Sequence, residues 1–245
     1  MKPVVVVRNL EARYHERVVL SDINFEVMAG EIFIILGSSG CGKSTLFKNM
    51  LNLHEPFAGF VNFFDQPFTE RDEEERDTIL KEIGVLFQNG ALLNSYSVFD
   101  NLAIPLEQHA NLPQNVIEKM IMTKLQLVEL AQAAQLFPAQ LSGGMRKRAA
   151  LARALMLDPK LLFCDEPSAG LDPITSRNLD HLLLKLRSQL GMTIIIVTHE
   201  PASIHRIADR ILFLEDGHII FLGTLADAIQ STHPTLSSFF HDVTV

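Results

Sequence analysis

The sequence predicts an α/β fold: a core built on a buried parallel sheet, with a small antiparallel β subdomain and an inserted helical subdomain. Three observations carry that expectation. Short apolar blocks at residues 32–36, 161–164 and 193–198 lack polar alternation, as strands covered on both faces do. Between the last two, Leu179, Leu182, Leu183, Leu186 and Leu190 recur at helical spacing, with Pro173 ahead and Gly191 as the stop. Strand, helix, strand in that order implies right-handed crossovers around one core. The stretch from about residue 95 to 158, by contrast, holds no strand-like pattern, and residues 115–134 read as one or two helices.

The remaining elements follow in order. The first ~30 residues carry Val4-Val5-Val6-Val7 and Val18-Val19-Leu20, which with residues 57–64 suit an antiparallel sheet. The acidic run from Glu70 to Asp77 reads as a solvated helix face. Residues 83–87 read as another strand. The whole, residues 1–245, is expected to be one domain, with the helical insertion at about 92–158.

Composition narrows the class. With 47% hydrophobic and 20% charged residues the chain can build a core. No apolar run approaches the ~18–20 residues needed to span a bilayer, and the N-terminus does not read as a signal peptide. A soluble protein that meets a membrane only through a partner is expected. The formal charge of -8 and the lack of a basic stripe make nucleic acid an unexpected partner. Two cysteines, Cys41 and Cys164, make no disulfide framework.

Chemistry enters at Gly37-Ser38-Ser39-Gly40-Cys41-Gly42-Lys43-Ser44, a complete G-x-x-x-x-G-K-[ST] match between a buried strand and a helix that opens at Thr45. Glycines let successive N–H groups turn toward a phosphate, and the helix dipole adds to them. In such a P-loop NTPase core, Lys43 supplies a charge to the β- and γ-phosphates of ATP, and the Ser44 hydroxyl a ligand for Mg²⁺. The apolar stretch before Asp165-Glu166 is a strand ending in adjacent carboxylates. Neighbours on a strand face opposite ways, so Asp165 is expected near Mg²⁺ and Glu166 at the attacking water. Solvated strand-end acids are the plainer reading of that pair when the phosphate loop is set aside.

Leu141-Ser142-Gly143-Gly144-Met145, with Ser142 lying 23 residues before Asp165, resembles the signature of the ATP-binding-cassette (ABC) family, usually LSGGQ. Physically it is a second glycine-rich helix start with a serine cap, and so a second anion-binding end. The resemblance runs from about residue 4 to 240. It implies that Ser142, Gly143 and Gly144 close over ATP held by a second copy, that Gln88 is the Q-loop glutamine near Mg²⁺, and that Ser168 to Asp172 form a loop reaching across the dimer. It implies further that His199 senses the γ-phosphate and that Tyr14 stacks on adenine. Taken singly, a strand-end histidine is more often structural. Met145 departs from the usual glutamine while the phosphate donors are kept.

Phe87-Gln88-Asn89-Gly90-Ala91-Leu92-Leu93, the stretch from Val98 to Leu106, the Met-ended signature and the tail from Gly223 to Phe240 resemble ATPases of Mla or mammalian-cell-entry (MCE) lipid transporters. That resemblance implies phospholipid transport in a double-membraned bacterium, with the chain on the cytoplasmic face of the inner membrane. Its partners would be a second ATPase subunit, an integral-membrane permease, and an MCE-domain lipid-binding protein with accessory subunits. An amino-acid, ion or lipoprotein transporter is the alternative. A soluble ABC protein would call for long coiled coils or tandem cassettes, and a small-molecule P-loop kinase would have no use for the Ser142 segment.

Overall fold

The computed structural model describes residues 2–69 and 71–241; Glu70, the first residue of the acidic run, lies outside them, as do Met1 and residues 242–245. Two long strands, β1 (Pro3–Tyr14) and β2 (Arg17–Met28), lead into β3 (Ile32–Gly37), α1 (Lys43–Met50) and the short strands β4 (Ala58–Phe63) and β5 (Gln66–Pro67). Then come α2 (Glu73–Leu80), β6 (Ile83–Leu86) and three helices, α3 (Val98–His109), α4 (Gln114–Leu127) and α5 (Gly143–Ala154). The chain finishes with β7 (Leu161–Asp165), α6 (Pro173–Leu190), β8 (Thr193–Val197), α7 (Pro201–Ile207), β9 (Arg210–Glu215), β10 (His218–Thr224), α8 (Leu225–Ile229) and α9 (Pro234–His241).

The strands form two sheets, ordered β2-β1-β4-β5 and β10-β9-β3-β8-β7-β6. The first is antiparallel throughout. The second is parallel from β9 through β6, with β10 added antiparallel at its edge. Every residue of β3 and β8 is buried, which explains why neither shows polar alternation. The faces still alternate by partner. Ile32, Ile34 and Leu36 join the cluster with the helices, whereas Phe33 and Ile35 join the cluster with the antiparallel sheet. Phe163 meets Phe47 and Phe63 edge-on, at 5.7 and 6.1 Å between ring centroids. Truncating such a buried ring to alanine costs about 3–5 kcal/mol.

The α6 prediction holds at both ends. Asp172 caps it by accepting from the Ile174 and Thr175 N–H groups, and Gly191 ends it in the left-handed region at φ 64°. No strand separates β6 from β7 among the described residues, as the missing alternation implied. Strand β8 stops at Val197, one residue short of expectation, and Thr198 N–H donates instead to the Ile35 carbonyl. Three strands, the short β5 and the pair β9 and β10, were not expected from the pattern.

Candidate active site

All the parallel strands end on one side of the sheet, and the loops there enclose a cavity of about 660 Å³. Such crevices beyond the carboxyl ends of strands are where α/β sheets bind ligands. From β3 the chain turns at Gly37, whose φ of 151° only glycine adopts readily; a Cβ there would lie 2.1 Å from the Leu214 carbonyl oxygen. Gly42, at φ 109°, starts α1 with no side-chain cap, and a Cβ would press on Leu20. The N-terminal N–H groups of α1 are therefore left for an external acceptor. Lys43 Nζ donates to the Gly37 and Ser38 carbonyls, both at 2.8 Å, which seats the ammonium inside the loop.

Gly37, Ser38, Ser39, Gly40, Lys43, Ser44, Gln88, Asp165, Glu166 and His199 all line this cavity. Cys41 and Gly42 are buried behind the loop, and Thr45 is half-buried on α1. Tyr14 stands exposed at the end of β1, edge-on to His54 at 6.0 Å, outside the cavity lining. Ser142 and Gly144 belong to a different, shallower cleft with Glu129, Met145 and Thr175. Ser142 Oγ accepts from Met145 N–H at 3.3 Å, so it is also the N-cap of α5. Cap and anion end coincide.

The two carboxylates do not part to opposite faces as two strand neighbours would. Strand β7 stops at Asp165, and Glu166 takes a left-handed φ of 45°, which brings both side chains to the same cavity. The Glu166 N–H is held by the Val197 carbonyl at 2.8 Å. Its Oε1 lies 2.6 Å from His199 Nδ1, and its Oε2 accepts from the Thr198 hydroxyl at 3.2 Å. Burial, reinforced by the neighbouring Glu166 charge, raises the Asp165 pKa, while Lys147 and Lys48 pull it back. A carboxylate so placed gains from a bound cation. Among the described residues no three His, Cys, Asp or Glu form a metal cluster. The donors present, one hydroxyl, one amide and one carboxylate, fit Mg²⁺, which completes its shell with phosphates and water.

Sequence reasoning missed several neighbours. Phe213 on β9 and Thr235, Ser238 and Phe239 on α9 also line the cavity. Phe239 meets Phe213 edge-on at 5.7 Å, and the Thr235 hydroxyl donates to Glu215. Lys147 on α5 is buried and donates to the Gln88 and Glu166 carbonyls, at 2.5 and 2.9 Å. Burial lowers its pKa, opposed by Cys164, Asp165 and Glu166. Burial also pushes the Cys164 thiol up, which keeps it protonated and inert.

Residues 20–169, which include the phosphate loop, the serine-glycine helix start and the paired carboxylates, match the ABC transporter family. The chain belongs to that family. It is 39% identical over 228 residues to the intermembrane phospholipid transport system ATP-binding protein MlaF of Haemophilus influenzae, covering 93% of this chain and 86% of that protein. It is 34% identical over 246 residues to the methionine import ATP-binding protein MetN of Francisella tularensis, covering 99% and 70%. Among solved structures, the dimeric ATP-binding cassette MJ0796 bound to ADP and Pi superposes with a TM-score of 0.82 at 30% identity, covering 90% of this chain and 98% of that one. As a member of this family the chain binds and hydrolyses ATP, and the expected α/β P-loop core is the fold observed.

Proposed function

We propose that this ABC ATPase binds Mg-ATP in the 660 Å³ cavity and closes as a dimer on two nucleotides to drive an integral-membrane permease in phospholipid transport. One observation carries the shared-site reading. The lysine loop gathers Gln88, Asp165, Glu166 and His199 around one cavity, while Ser142 and Gly144 lie in another cleft of the same chain. One copy thus offers two anion-binding helix ends that do not converge. A second copy brings the missing half to each.

In this reading the first-turn N–H groups of α1 and Lys43 bind the phosphates, and Cys41, Gly42 and Thr45 shape the loop from behind. Ser44, Gln88 and Asp165 would hold Mg²⁺, which supplies charge neutralisation on the phosphates. Glu166 takes the proton of the attacking water, and His199, hydrogen-bonded to it, orients both the carboxylate and the γ-phosphate. Tyr14, exposed beside His54, offers its ring to adenine. The partner's copy of Ser142 and its following N–H groups cover the γ-phosphate from the far side.

Residues 1–245 act as one nucleotide-binding domain, with about 92–158 as its helical subdomain. Leu93 and Tyr96, exposed on the segment that follows Gln88 in the chain, are apolar surface suited to a helix of the permease. No described helix is long and apolar enough to cross a membrane. In this reading the permease holds the chain at the cytoplasmic face of the inner membrane. The MlaF likeness supports phospholipid cargo, and the MetN likeness favours amino-acid import as the second reading. An MCE-domain lipid-binding protein and accessory subunits complete the assembly proposed for the first.

Glu166→Gln is expected to keep ATP, to slow turnover by about 10²–10⁴-fold, and to trap a dimer. Brisk hydrolysis by this variant removes Glu166 from the water. Mass spectrometry of the purified membrane complex separates the cargoes: retained phospholipid supports the first, retained amino acid the second.

A further inference from the structure

We infer that Lys147 is a positioning residue for hydrolysis: its ammonium ties the main chains of Gln88 and Glu166 to the helix that begins at Ser142. The inference rests on the roles proposed above for Gln88 and Glu166. The geometry behind it is local and specific. Lys147 stands on α5, five residues beyond Ser142, with 7% of its surface exposed. Lysine is almost never buried this far unless its charge meets acceptors. Here the acceptors are two carbonyls from distant parts of the chain, that of Gln88 at 2.5 Å and that of Glu166 at 2.9 Å. One follows β6 and the other follows β7, so a single side chain spans the ends of two adjacent strands.

Both carbonyls belong to residues whose side chains face the cavity. Glu166 needs such a hold more than most, because its φ of 45° is a conformation that a non-glycine residue adopts only when its surroundings enforce it. The Val197 carbonyl fixes its N–H, Ala169 N–H reaches its carbonyl at 3.2 Å, and Lys147 supplies the charged donor to the same oxygen. Farther along α5, Arg153 donates to the Gly90 and Ala91 carbonyls at 3.0 and 2.8 Å, so the helix grips the segment after Gln88 twice. The helix that offers Ser142 outward therefore also holds, through Lys147, the main chain of this copy's own water-facing carboxylate. A methionine would fill the same volume, and packing alone would be satisfied by it. What methionine lacks is the pair of donors.

The test compares Lys147→Met and Lys147→Arg in the full chain within its membrane complex, reading ATP turnover, mant-ATP affinity and the melting transition. Lys147→Met is expected to lower kcat by about ten- to a hundredfold, the range for losing charged hydrogen bonds at a reacting group. KM and mant-ATP affinity should stay within about twofold, because the lysine touches no phosphate. Lys147→Arg, which keeps charged donors, should recover most of the rate. In a Glu166→Gln background, Lys147→Met should still give the ATP-trapped dimer. An unchanged kcat, a KM that rises as kcat falls, an arginine no better than methionine, or loss of the trapped dimer would each overturn the proposal. If Lys147→Met does not melt cooperatively, Lys147→Gln, with a neutral donor, takes its place in the same comparisons. Turnover at the wild-type rate by Glu166→Gln alone defeats the site reading itself. Full turnover by Lys147→Met beside an inactive Glu166→Gln defeats only the role of the lysine.

Discussion

The loop from Gly37 to Ser44 and the helix start at Ser142 are built from the same materials, glycines and a hydroxyl at a helix N-terminus, yet the fold treats them differently. The first is anchored from behind by buried Gly37, Cys41 and Gly42, with Ser38, Ser39, Gly40 and Ser44 exposed at its mouth. Strand β3 beneath it is fully buried, the Leu214 main chain blocks any side chain at Gly37, and Lys43 is already seated inside the loop. The second is on the surface, with Ser142 and Gly143 exposed and only Gly144 half-covered against Thr175. That anchoring preorganises the first for phosphate. Exposure leaves the second competent only when another surface arrives. The difference teaches that one copy carries a preformed half of the proposed site and an exposed half suited to another copy.

The largest effect expected is at the preformed half. Lys43→Ala removes the charge at the centre of the cradle and should weaken mant-ATP binding by about a hundredfold. Unchanged affinity would mean that the loop does not hold the phosphates. Ser142→Arg should leave the affinity of a lone copy intact and stop hydrolysis, because the arginine obstructs closure rather than binding.

Mixing these two inactive variants sharpens the contrast. If each site takes its loop from one copy and its serine from the other, a mixed dimer of Lys43→Ala with Ser142→Arg holds one intact site, and coexpression restores a measurable part of the turnover. If a single copy completes its own pocket, every pocket in the mixture is broken and nothing returns. A smaller effect separates the glycines. Gly37→Ala meets main chain at 2.1 Å and should lower both stability and nucleotide binding, whereas Gly144→Ala meets the Thr175 methyl at 2.4 Å, whose displacement disturbs the Thr175 hydroxyl's bond to Asp172 and no main chain. Equal losses of stability in the two would erase the distinction drawn between a rigid and an exposed helix end.

Legibility follows the same division. Strands β3, β7 and β8 and helix α6 could be read from sequence because burial on both faces and helical periodicity leave local marks. The phosphate loop was equally legible, since its glycines answer a local backbone demand. The hairpin of β9 and β10 left a mark too: Asp216-Gly217, at φ 44° and 79°, is the two-residue turn that favours hairpins, but its strands are apolar runs without clean alternation. The conformation of Glu166 and the burial of Lys147 left none. A lysine flanked by Arg146 and Arg148 reads as part of a solvated charged face, and only tertiary convergence of two carbonyls makes it an interior residue. The wall supplied by α9 is invisible for the same reason, because Thr235, Ser238 and Phe239 reach the cavity through tertiary packing, Phe239 on Phe213 and the Thr235 hydroxyl on Glu215.

The smallest effect tests why one helix end would receive a phosphate and its neighbour would not. Helix α5 is capped by neutral Ser142 and helix α6 by the carboxylate of Asp172. A carboxylate at a helix start satisfies the dipole itself and repels another anion, so α6 is closed to phosphate and α5 is open. The Thr175 hydroxyl, donating to Asp172 Oδ2 at 2.5 Å, and then the Thr175 N–H hold the Asp172 pKa below its ordinary value of 3.8. A depressed carboxylate pKa contributes stability that is present above the unfolded value and lost as pH falls through the folded one. Asp172→Ala should therefore lower the melting temperature slightly at neutral pH, and the gap to wild type should narrow only below pH 3.8. Ser142→Ala, which removes an uncharged cap, should show a gap that does not change over that range. A gap at Asp172 that also stays constant into acid would show that its charge does not stabilise the helix. The electrostatic difference between the two helix ends would then be lost.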